Sequence, residues 1–584
     1  MPTVSSLRPA TSRIRRMFPP LLAICLPRSA MIYSRVRRDL VCIFSTVGAL
    51  LGVVPGPLAA QATAGEPMSV THEVFAGSEV EGYLRALQNV GTIGEYPWSI
   101  RAFSPGEVDA LGVPEETPWG ERYRFGLAGY GLTRPRLDAV YNSAFPFGGN
   151  DGPIWAGRGV TGAIRVGGYL RYGPVSLVVA PVVFWAQNQA FPLAPIPDPG
   201  DNPYRSPLSP NNIDLPQRFG EGAYSRVDAG YSTLRLGAGG VTLGFSTAPQ
   251  QWGPSDRHPL VLGPNAGGFP HAFMGTERPV NIGIGKLHVR YMAGRLEQSE
   301  WAPASDLASS RSAVGLVFAL MPRGLAGLEL GMIRFIHREW PEGGPGSSEL
   351  FQPFEALFKK SIPDAVTRFA DNQLLSAFAR WNVPSAGFEA FGEFVRIDHA
   401  VDSRVLAEEP DDLSGYALGV GRVWEGRGSG TRGGTRLTVL RAEVLSTVSS
   451  HRQRGGARLE YAQVARHMYR HGGITEGHTH RGQLLVSPEG HGGQVATVGV
   501  DRFDSGGGWS LDLQRSVERD RTVGMVEEGA APADVSYVLG GSVVRFFTRM
   551  DFRAGLAGVY DMNRNLEGHR LNFNLQLGAA AHLP

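Results

Sequence analysis

Four histidines lie close together in the C-terminal half of the chain and raise the question of a metal site. His467, His471, His478 and His480 fall within the stretch HMYRHGGITEGHTHRG. His478 and His480 are two residues apart, so both rings would lie on one face of a strand, as a pair of metal ligands could. The segment has no HExxH or other compact catalytic spacing. The sequence therefore favours a polar loop or lumen wall, whose rings form hydrogen bonds, over a metal site, and it predicts no cofactor.

Two other segments carry side chains that suit carbohydrate binding. Planar aromatic rings stack on sugar faces, while amides, carboxylates and guanidinium groups bind hydroxyls. Glycine and proline in both segments also indicate turns, beside which a tryptophan is more often packed or interfacial, and this structural interpretation is the favoured one. The candidates are Asn150, Asp151, Trp155 and Arg158 in NDGPIWAGRG, and Trp252, Asp256 and Arg257 in QWGPSDRH.

Acidic residues on one predicted strand raise the alternative of a glycosidase, which needs two carboxylates beside the scissile bond. Glu389 and Glu393 are four residues apart, which along a strand is about 13 Å and exceeds the separations that such mechanisms use. A partner from another strand stays open. The sequence has no G-x-S-x-G nucleophile elbow in a suitable context and no phosphate-binding loop. The prediction is therefore a protein without enzymatic activity.

The elements that would position these residues are mainly strands. From about residue 120 to the C-terminus, apolar and polar residues alternate with a period of two, as in KLHVRYMAG (286–294), FEAFGEFVR (388–396) and LNFNLQLG (571–578). STLRLGAGGVTLGFST (232–247) predicts a hairpin whose turn lies at 238–240. The 77 glycines are typical of a chain with many turns and closely packed strands. The proline-rich stretch 194–216 predicts an extended surface loop.

Two short helices are predicted ahead of the strands. Residues 78–90 begin with Ser78 as N-cap and place apolar residues along one face. SPGEVDAL, from Ser104, has the capping-box pattern with Glu107 three residues on and proline at the first helical position. These helices define a predicted N-terminal helical region, residues 62–118, ahead of a strand region at 119–584.

The first sixty residues have the features of a secretory signal peptide. Arginines after Met31 precede the apolar stretch LVCIFSTVGALLGVV, and LAAQA supplies small residues for cleavage near 60–62. Residues 1–61 are thus predicted to be a leader, whose true start is Met31 or, alternatively, Met1 with a long preceding extension. Both cysteines, Cys25 and Cys42, lie in this leader, and no lipobox surrounds Cys42, so the mature chain is predicted to have no disulfide.

The charge composition gives no reason to expect nucleic acid as a partner. Lysine occurs only at Lys286, Lys359 and Lys360, so nearly all positive charge is arginine, which codon bias explains. The whole chain has a formal charge of 56 − 54 = +2, and removal of residues 1–61, with eight arginines and one aspartate, leaves 48 − 53 = −5. The mature chain is therefore mildly acidic.

The fold class that these patterns predict is all-β, a large transmembrane antiparallel barrel. Downstream of the leader no run of 18 apolar residues occurs, so membrane residence requires a barrel. Aromatic residues near predicted strand ends suit an interfacial girdle. The length allows about 16 to 20 strands, and a barrel of that size has a lumen that must be plugged or conduct. The girdle candidates are Phe184, Trp185, Trp381, Phe546 and Phe547.

Four stretches, in this order, resemble the Wzi-type capsule assembly proteins of bacterial outer membranes. They are GGNDGPIWAGRG (148–159), QWGPSDRHPLVLGPNAGGFP (251–270), DNQLLSAFARW with FEAFGEF (371–394), and YRHGGITEGHTHRGQLL (469–485). That family's helical N-terminal region followed by a large barrel also matches the organisation predicted above. The chain departs from the family in ending AAAHLP, without a terminal aromatic residue, and in LVLGPNA, where Gly-Pro replaces polar residues.

The resemblance implies a lectin-like barrel of the outer membrane that attaches or organises capsular polysaccharide or exopolysaccharide and catalyses no reaction. It implies a helical region at the periplasmic end, outer-membrane lipid and the barrel assembly machinery as partners, and a monomer. The matched histidine-rich motif adds candidate ligand-binding residues, namely Tyr469, Arg470, His471, His480 and Arg481.

A porin or transporter-type channel for small solutes is the alternative function, and a hydrolase is a third. The helical region separates the first two, because docked in the barrel mouth it would close the channel.

Overall fold

The computed structural model describes residues 73–114, 116–120, 129–196, 200, 202–303, 310–354, 371–397, 404, 407, 413–427, 435–447, 468–518, 534–565 and 567–581. They fall within Ala59–Pro584, one compact unit. The predicted leader and His467 lie outside these residues. None of the described helices has the length and hydropathy of a membrane span.

Both predicted helices are confirmed. Helix α1 is Glu79–Asn89, and the Ser78 side chain accepts a hydrogen bond from the Glu81 N–H at its start. Helix α2 is Pro105–Leu111, and Ser104 and Glu107 form the reciprocal capping box. A third helix, α3, is Ser347–Phe351, followed by the 3-10 turn Gln352–Phe354, and another 3-10 turn is Pro384–Ala386.

Strands make up most of the described chain. In the first half they are β1 Ile100–Arg101, β2 Gly129–Leu132, β3 Arg136–Asn142, β4 Gly159–Arg165, β5 Gly168–Tyr172, β6 Val175–Val179, β7 Val182–Ala186, β8 Tyr224–Asp228, β9 Thr233–Ala238, β10 Val241–Ser246, β11 Gln251–Trp252, β12 His271–Thr276, β13 Val280–Asn281 and β14 Gly285–Leu296. The remainder are β15 Arg311–Pro322, β16 Leu328–Glu339, β17 Asp371–Val383, β18 Phe388–Ile397, β19 Ser414–Arg427, β20 Thr435–Ser446, β21 Thr479–His480, β22 Gln483–Leu484, β23 Gly493–Asp504, β24 Gly507–Glu518, β25 Asp534–Phe546, β26 Met550–Arg564 and β27 Gly568–Ala581.

All of these strands except β1, β11, β21 and β22 form one closed antiparallel barrel, which confirms the predicted fold class. In the described part of the chain it contains 23 segments, and β27 pairs with β3 to close it. Some segments continue one another along a single strand, because both members of the pair are hydrogen-bonded to the same neighbouring strand. There are five such pairs: β2/β3, β4/β5, β6/β7, β8/β9 and β12/β13. The barrel therefore has 23 − 5 = 18 strands, each paired with the next along the chain. The predicted range of 16 to 20 includes this number.

The polarity of the wall is that of a barrel with lipid outside. On β27, Leu571, Phe573, Leu575 and Leu577 are exposed on the outer surface, whereas Asn572 and Asn574, which face the lumen, are buried. On β14 the buried lumenal residues include His288 and Arg290. Apolar-out, polar-in alternation is characteristic of transmembrane barrels.

The two ends of the barrel differ in the length of their connections. At one end the strands are joined by long segments, such as 187–223, 247–270 and 447–492; at the other the joins are short, such as 173–174, 239–240 and 505–506. Gly239 and Gly240 both have positive φ in the predicted hairpin turn, a conformation that glycine adopts without strain. In bacterial outer-membrane barrels the short turns lie at the periplasmic end.

The helical region occupies the short-turn end, as predicted. Asp109, on α2, forms an ion pair of 2.9 Å with Arg171 beside the turn 173–174. The Trp119 indole donates to the carbonyl oxygen of Gly507, beside the turn 505–506. A buried apolar cluster joins the helices to the inner wall at Val423, Leu437 and Phe503. The helices are thus packed into this mouth of the barrel.

The structure corrects two of the girdle assignments and part of a loop assignment. Trp185, Trp381 and Phe547 are exposed, but Phe184 is buried with its ring under the Arg226 guanidinium, because its strand alternation directs it inward. Phe546 instead packs against the helical region. The loop 194–216 is only partly a surface loop, since Ile213 and Asp214 are buried.

Candidate functional site

Protein fills the lumen where the helical region, from the short-turn end, meets a connection that folds in from the long-loop end. Strand β1 comes from the helical region at the short-turn end, and β11 belongs to the long segment 247–270, which folds inward from the opposite end. The two pair antiparallel, Ile100 with Trp252 and Arg101 with Gln251. Around this ladder the segment 247–270 and residues 484–486 form an apolar core with inward side chains of the wall, such as Phe335. The described residues therefore place packed protein across the lumen.

Buried ion pairs hold the helical region to the barrel wall, and hydrogen bonds join it to this lumenal plug. Glu389 on β18 accepts hydrogen bonds from Arg85 of α1 at 2.6 Å and from Arg380 of β17 at 2.5 Å. Arg85 also donates to the carbonyl oxygen of Pro254, and Arg101 donates to those of Gly253 and Ser255. Glu389 therefore has a structural role in binding two arginines, and the structure does not support a role for it in glycoside hydrolysis.

The candidate residues of the WGP segment belong to the plug. Trp252 is fully buried against Phe335, so its ring is not available to a polymer at the surface. The Asp256 and Arg257 amides donate to Glu443, and the Arg257 side chain pairs with Asp512 at 3.1 Å. Burial opposes ionisation of Asp256, but Arg85 and Arg257 outweigh it and hold its pKa below the ordinary value. The structure therefore corrects the assignment of Trp252 as a ligand-binding residue. Its ring packs inside the plug, in agreement with the structural interpretation of a tryptophan beside a turn.

The histidine-rich segment also packs the plug. His478 forms a 2.7 Å hydrogen bond with the carbonyl oxygen of Val261, and its ring stacks on Tyr469, whose hydroxyl donates to the carbonyl oxygen of Leu260. Tyr469 and His480 are buried, which removes them from the surface available to a polymer. His480 Nδ1 accepts from the Glu297 N–H at 3.1 Å.

The imidazoles of His478 and His480 remain neutral near pH 7, since burial lowers the pKa of His478 to about 4 and that of His480 well below its ordinary value. Among the described residues no group of three or more His, Cys, Asp or Glu side chains is arranged to hold a metal ion. His471 is half-buried at the turn of the segment and accepts from the Gly473 and Ile474 N–H groups. Arg470 is half-buried beside it.

A cluster of aromatic rings lies at the long-loop end, where three connections meet. The rings contact one another in sequence: Trp155 to Phe219 at 4.9 Å, Phe219 to Tyr224 at 4.6 Å, Phe219 to Trp301 at 5.6 Å and Trp301 to Tyr204 at 6.4 Å between centroids. Phe219 is buried at the centre, while the other four are partly exposed. We call these five residues the mouth aromatic cluster.

Hydrogen bonds fix the loops that carry the mouth aromatic cluster. Asn188 donates to the carbonyl oxygens of Phe219 and Gly222, and Arg218 donates back to the Asn188 carbonyl oxygen. Asn202 donates to the carbonyl oxygen of Trp301 at 3.1 Å, so the second and third loops are joined directly. A surface held in this way loses little conformational entropy on binding.

Polar residues surround the cluster. Arg158 links the first two loops by donating to the carbonyl oxygens of Ser143 and Ala190. Arg481 pairs with Asp228 at 2.8 Å and Glu297 at 2.7 Å, and nearly a third of its side chain stays exposed. Arg205, half-buried, donates to the Pro303 carbonyl oxygen. Partly exposed rings beside guanidinium groups are a mixture that suits carbohydrate binding.

Asn150 and Asp151 lie away from the mouth aromatic cluster, at a cavity of about 330 Å³ inside the barrel. The cavity separates residues 73–80 from the inner wall and reaches Phe546, Phe552 and Ala580 near the short-turn end. Burial raises the pKa of Asp151 to about 6, against a smaller lowering by the Gly149 N–H. Asn150 donates to the carbonyl oxygen of Arg257 and so contacts the plug.

The structure thus divides ten of the twelve predicted site residues among three places. Trp155, Arg158 and Arg481 lie at or beside the mouth aromatic cluster; Trp252, Asp256, Arg257, Tyr469 and His480 lie in the plug; and Asn150 and Asp151 line the cavity. The other two, Arg470 and His471, are half-buried at the turn of the histidine-rich segment. The sequence interpretation missed Tyr204, Phe219, Tyr224 and Trp301. The sequence shows only that these aromatic residues lie in or beside turn-rich segments. It does not show that three loops far apart in the chain meet in the fold.

Comparison with solved structures supports the fold. Wzi of Escherichia coli, described as an outer membrane protein involved in group 1 capsule assembly and as a carbohydrate-binding β-barrel, aligns with 14% identity and a TM-score of 0.56. The alignment covers 87% of this chain and 99% of that chain. At this identity the likeness shows a shared barrel fold.

Two other solved barrels align less well. OccK5 and the outer membrane protein OprD, both from Pseudomonas aeruginosa, each cover 78% of this chain and 98% and 94% of their own, at identities of 9% and 10%. Their TM-score of 0.36 is too low to support an argument. No family model matches the chain, and no curated protein matches it.

Proposed function

We propose that this protein is a non-conducting barrel of the outer membrane that binds capsular polysaccharide or exopolysaccharide at its long-loop mouth and catalyses no reaction. The single observation that carries the proposal is the mouth aromatic cluster, in which four partly exposed rings surround a buried one. The proposal includes removal of residues 1–61 as a leader, a helical region at 62–118 and a barrel at 119–584, assembly by the barrel assembly machinery, and a monomeric state.

The location of the cluster supports polymer binding. Its loops stand at the end that is extracellular in outer-membrane barrels, where a surface polysaccharide is accessible. The partly exposed rings around the buried Phe219 offer several weak contacts to a chain of sugars, whose sum gives useful affinity. Trp155, Tyr204 and Trp301 are the residues that we assign to stacking, with Arg158, Arg205 and Arg481 at the rim; Arg470 and His471 extend this surface in the proposal.

The filled lumen supports binding over conduction. The pairing of β1 with β11 and the buried ion pairs at Glu389 lie across the path that a solute would take. An aqueous channel would instead need an open lumen. The carbohydrate binding described for Escherichia coli Wzi, which has the same fold, agrees with this reading of the site.

The test compares binding of fluorescently labelled polysaccharide, released from the producing cells, by purified wild-type protein and by a Trp155→Ala, Trp301→Ala double variant. We expect the variant to bind at least about tenfold more weakly, since exposed tryptophans at binding sites commonly contribute more than ~1.4 kcal/mol. Trp381→Ala, which removes an exposed tryptophan from the barrel wall, is the matched control and should bind like wild type.

Gene deletion provides the cellular arm of the test. Cells without the protein should release polysaccharide into the medium that wild-type cells retain, and the double variant should fail to restore retention. Equal affinity of the double variant and the Trp381→Ala control would contradict the assignment of the site. Unchanged retention after deletion, with no binding by the purified protein, would contradict the function itself.

A further inference from the structure

A short segment of the chain lies on the outside of the barrel instead of in its lumen. After β16 ends at Glu339, the chain turns down the outer wall, and α3 with the following 3-10 turn, residues 347–354, contacts β15 and β16. Ile333 and Phe335 of β16 point into the lumenal core, so Arg334 and Ile336, which alternate with them, point to the outer face. This outer face is the one that the segment covers. We call residues 347–354 the outer-wall segment.

The outer-wall segment covers polar groups that would otherwise face lipid. Arg334 and Gln373, on the outer faces of adjacent strands, are both buried, and their side chains are hydrogen-bonded at 2.6 Å. Arg334 also donates to the carbonyl oxygen of Pro353 at 3.1 Å. A charged group on the lipid face of a barrel is costly unless protein covers it. The position of Arg334, two residues beyond the exposed Met332 on the same outer face, makes such a cover necessary.

The depth of the segment places it beside the apolar belt, the band of outward-facing apolar side chains on the barrel wall that contacts lipid. Pro353 contacts Arg334, which is five residues from the end of β16 at Glu339. At about 3.4 Å per residue and a tilt of roughly 45°, this is about 12 Å below the strand end. Leu350 lies at the same level, since its carbonyl oxygen accepts from Tyr291, which aligns through Leu316 with Arg334.

The free surface of the segment is apolar towards the belt and polar towards the long-loop end. Phe351 and Phe354 are 62% and 63% exposed, and Leu350 is also exposed. On the other side Glu349 pairs with Arg338 at 3.6 Å, and Trp340 lies under the Arg295 guanidinium. This division matches that of a segment embedded at a membrane interface.

We propose that residues 347–354 are a lipid-embedded cover: Leu350, Phe351 and Phe354 contact acyl chains of the outer leaflet and continue the apolar belt of the wall across β14 to β17. The occupant follows from continuity with that belt, because Leu330 and Met332 on the same outer face are exposed beside it. The inference requires a barrel in a bilayer and is independent of polysaccharide binding.

Single cysteines test the inference in the chain without residues 1–61, which has no native cysteine. Phe351→Cys and Phe354→Cys are labelled with an environment-sensitive fluorophore and reconstituted into phosphatidylcholine vesicles. Quenching by nitroxides on the acyl chains is compared with quenching by iodide in water. Leu513→Cys, on the exposed outer wall, is the lipid control, and Glu342→Cys, exposed earlier in the same connection, is the water control.

We expect both labels on the segment to be quenched by the lipid nitroxides within about twofold of the Leu513→Cys label, and to be at least fivefold less sensitive to iodide than the Glu342→Cys label. Iodide sensitivity equal to that of the Glu342→Cys label would overturn the proposal, because the segment would then face water. Resistance to both quenchers would also overturn it, since protein, for example a second copy, would be the occupant. Each variant is first checked for the heat-dependent gel mobility of a folded barrel.

Discussion

Two buried glutamates that face the lumen differ in the number of groups that pair with their carboxylates. Glu389 binds two arginines from different elements, whereas Glu393, four residues on and facing the same lumen, receives one hydrogen bond, from Ser376. A buried charge that loses its partner is strongly destabilising, while neutralising an unpaired one has a small cost. The two glutamates therefore predict opposite responses to the same substitution.

Glu389→Gln should lower the free energy of unfolding by about 3–5 kcal/mol, because it removes the closest counter-charge of the buried Arg85 and leaves the buried Arg380 with only the more distant Glu329, at 3.7 Å. Chemical denaturation in detergent micelles, followed by tryptophan fluorescence, measures the change. Glu393→Gln is the matched control on the same strand and face, with an expected change below about 1 kcal/mol. Equal changes in the two variants would mean that the ion pairs do not hold α1 to the wall.

Asp151 predicts a pH-dependent stability. Its pKa in the folded protein, about 6, is above its ordinary value of 3.8, so the folded state binds the proton more tightly and the stabilisation is present below pH 4 and lost as the pH rises through 6. Asp151→Asn, which does not ionise, should therefore gain on the order of 1–3 kcal/mol relative to wild type at pH 7.5 and should gain none at pH 3.5. Thermal unfolding at the two pH values provides the measurement; an identical difference at both would contradict the assignment.

At the scale of elements, the proposed function depends on connections that leave the wall and fold into the lumen. The segment 247–270 contributes β11 and several residues of the main apolar core, and 468–492 packs against it through Tyr469 and His478. The wall itself is complete without them, since β10 and β12 pair directly. Plug and wall are therefore separable elements.

Replacing residues 249–268 with a short glycine-serine linker, in a chain that also lacks the helical region 73–118, should open a conducting path while the wall stays folded. We expect no steps in planar-bilayer conductance for the wild-type chain and stable steps for the variant. A linker of the same kind in place of 342–345, which lie outside the lumen, is the control and should remain silent. Steady conductance by the wild type would instead favour the porin or transporter alternative.

At the scale of the whole molecule, the ends of the barrel give the protein a direction. The helical region, the start of β2 and the end of β27 all lie at the short-turn end, and the mouth aromatic cluster lies at the other. In outer-membrane barrels the short turns face the periplasm, so the proposed binding surface faces outward from the cell.

Epitope tags should report this direction in intact cells. A tag inserted at 343–344, in a long connection, should bind antibody without permeabilisation, whereas a tag at 324–325, in a short turn, should bind only after the outer membrane is opened. Exposed loop tips tolerate insertions, and heat-dependent gel mobility checks that each tagged barrel is folded. The reverse labelling would contradict the orientation.

The sequence by itself determined the class of the fold and its local elements. Alternation with period two in LNFNLQLG and KLHVRYMAG is a local property, and it directly sets which side chains face the two sides of a wall. The caps at Ser78 and Ser104 are equally local, since each involves residues three apart. These predictions therefore agreed with the structure.

Only the tertiary structure decided which residues form a surface. Trp155 and Trp252 occur in similar Gly-Pro contexts, yet the first reaches a half-exposed cluster with Trp301 and the second is buried against β1. The difference depends on where segments such as 247–270 and 297–303 fold, and hence on contacts between residues far apart in the chain. No local sequence pattern predicts those contacts, because the lumen in which they form exists only after the eighteen strands have closed into a barrel.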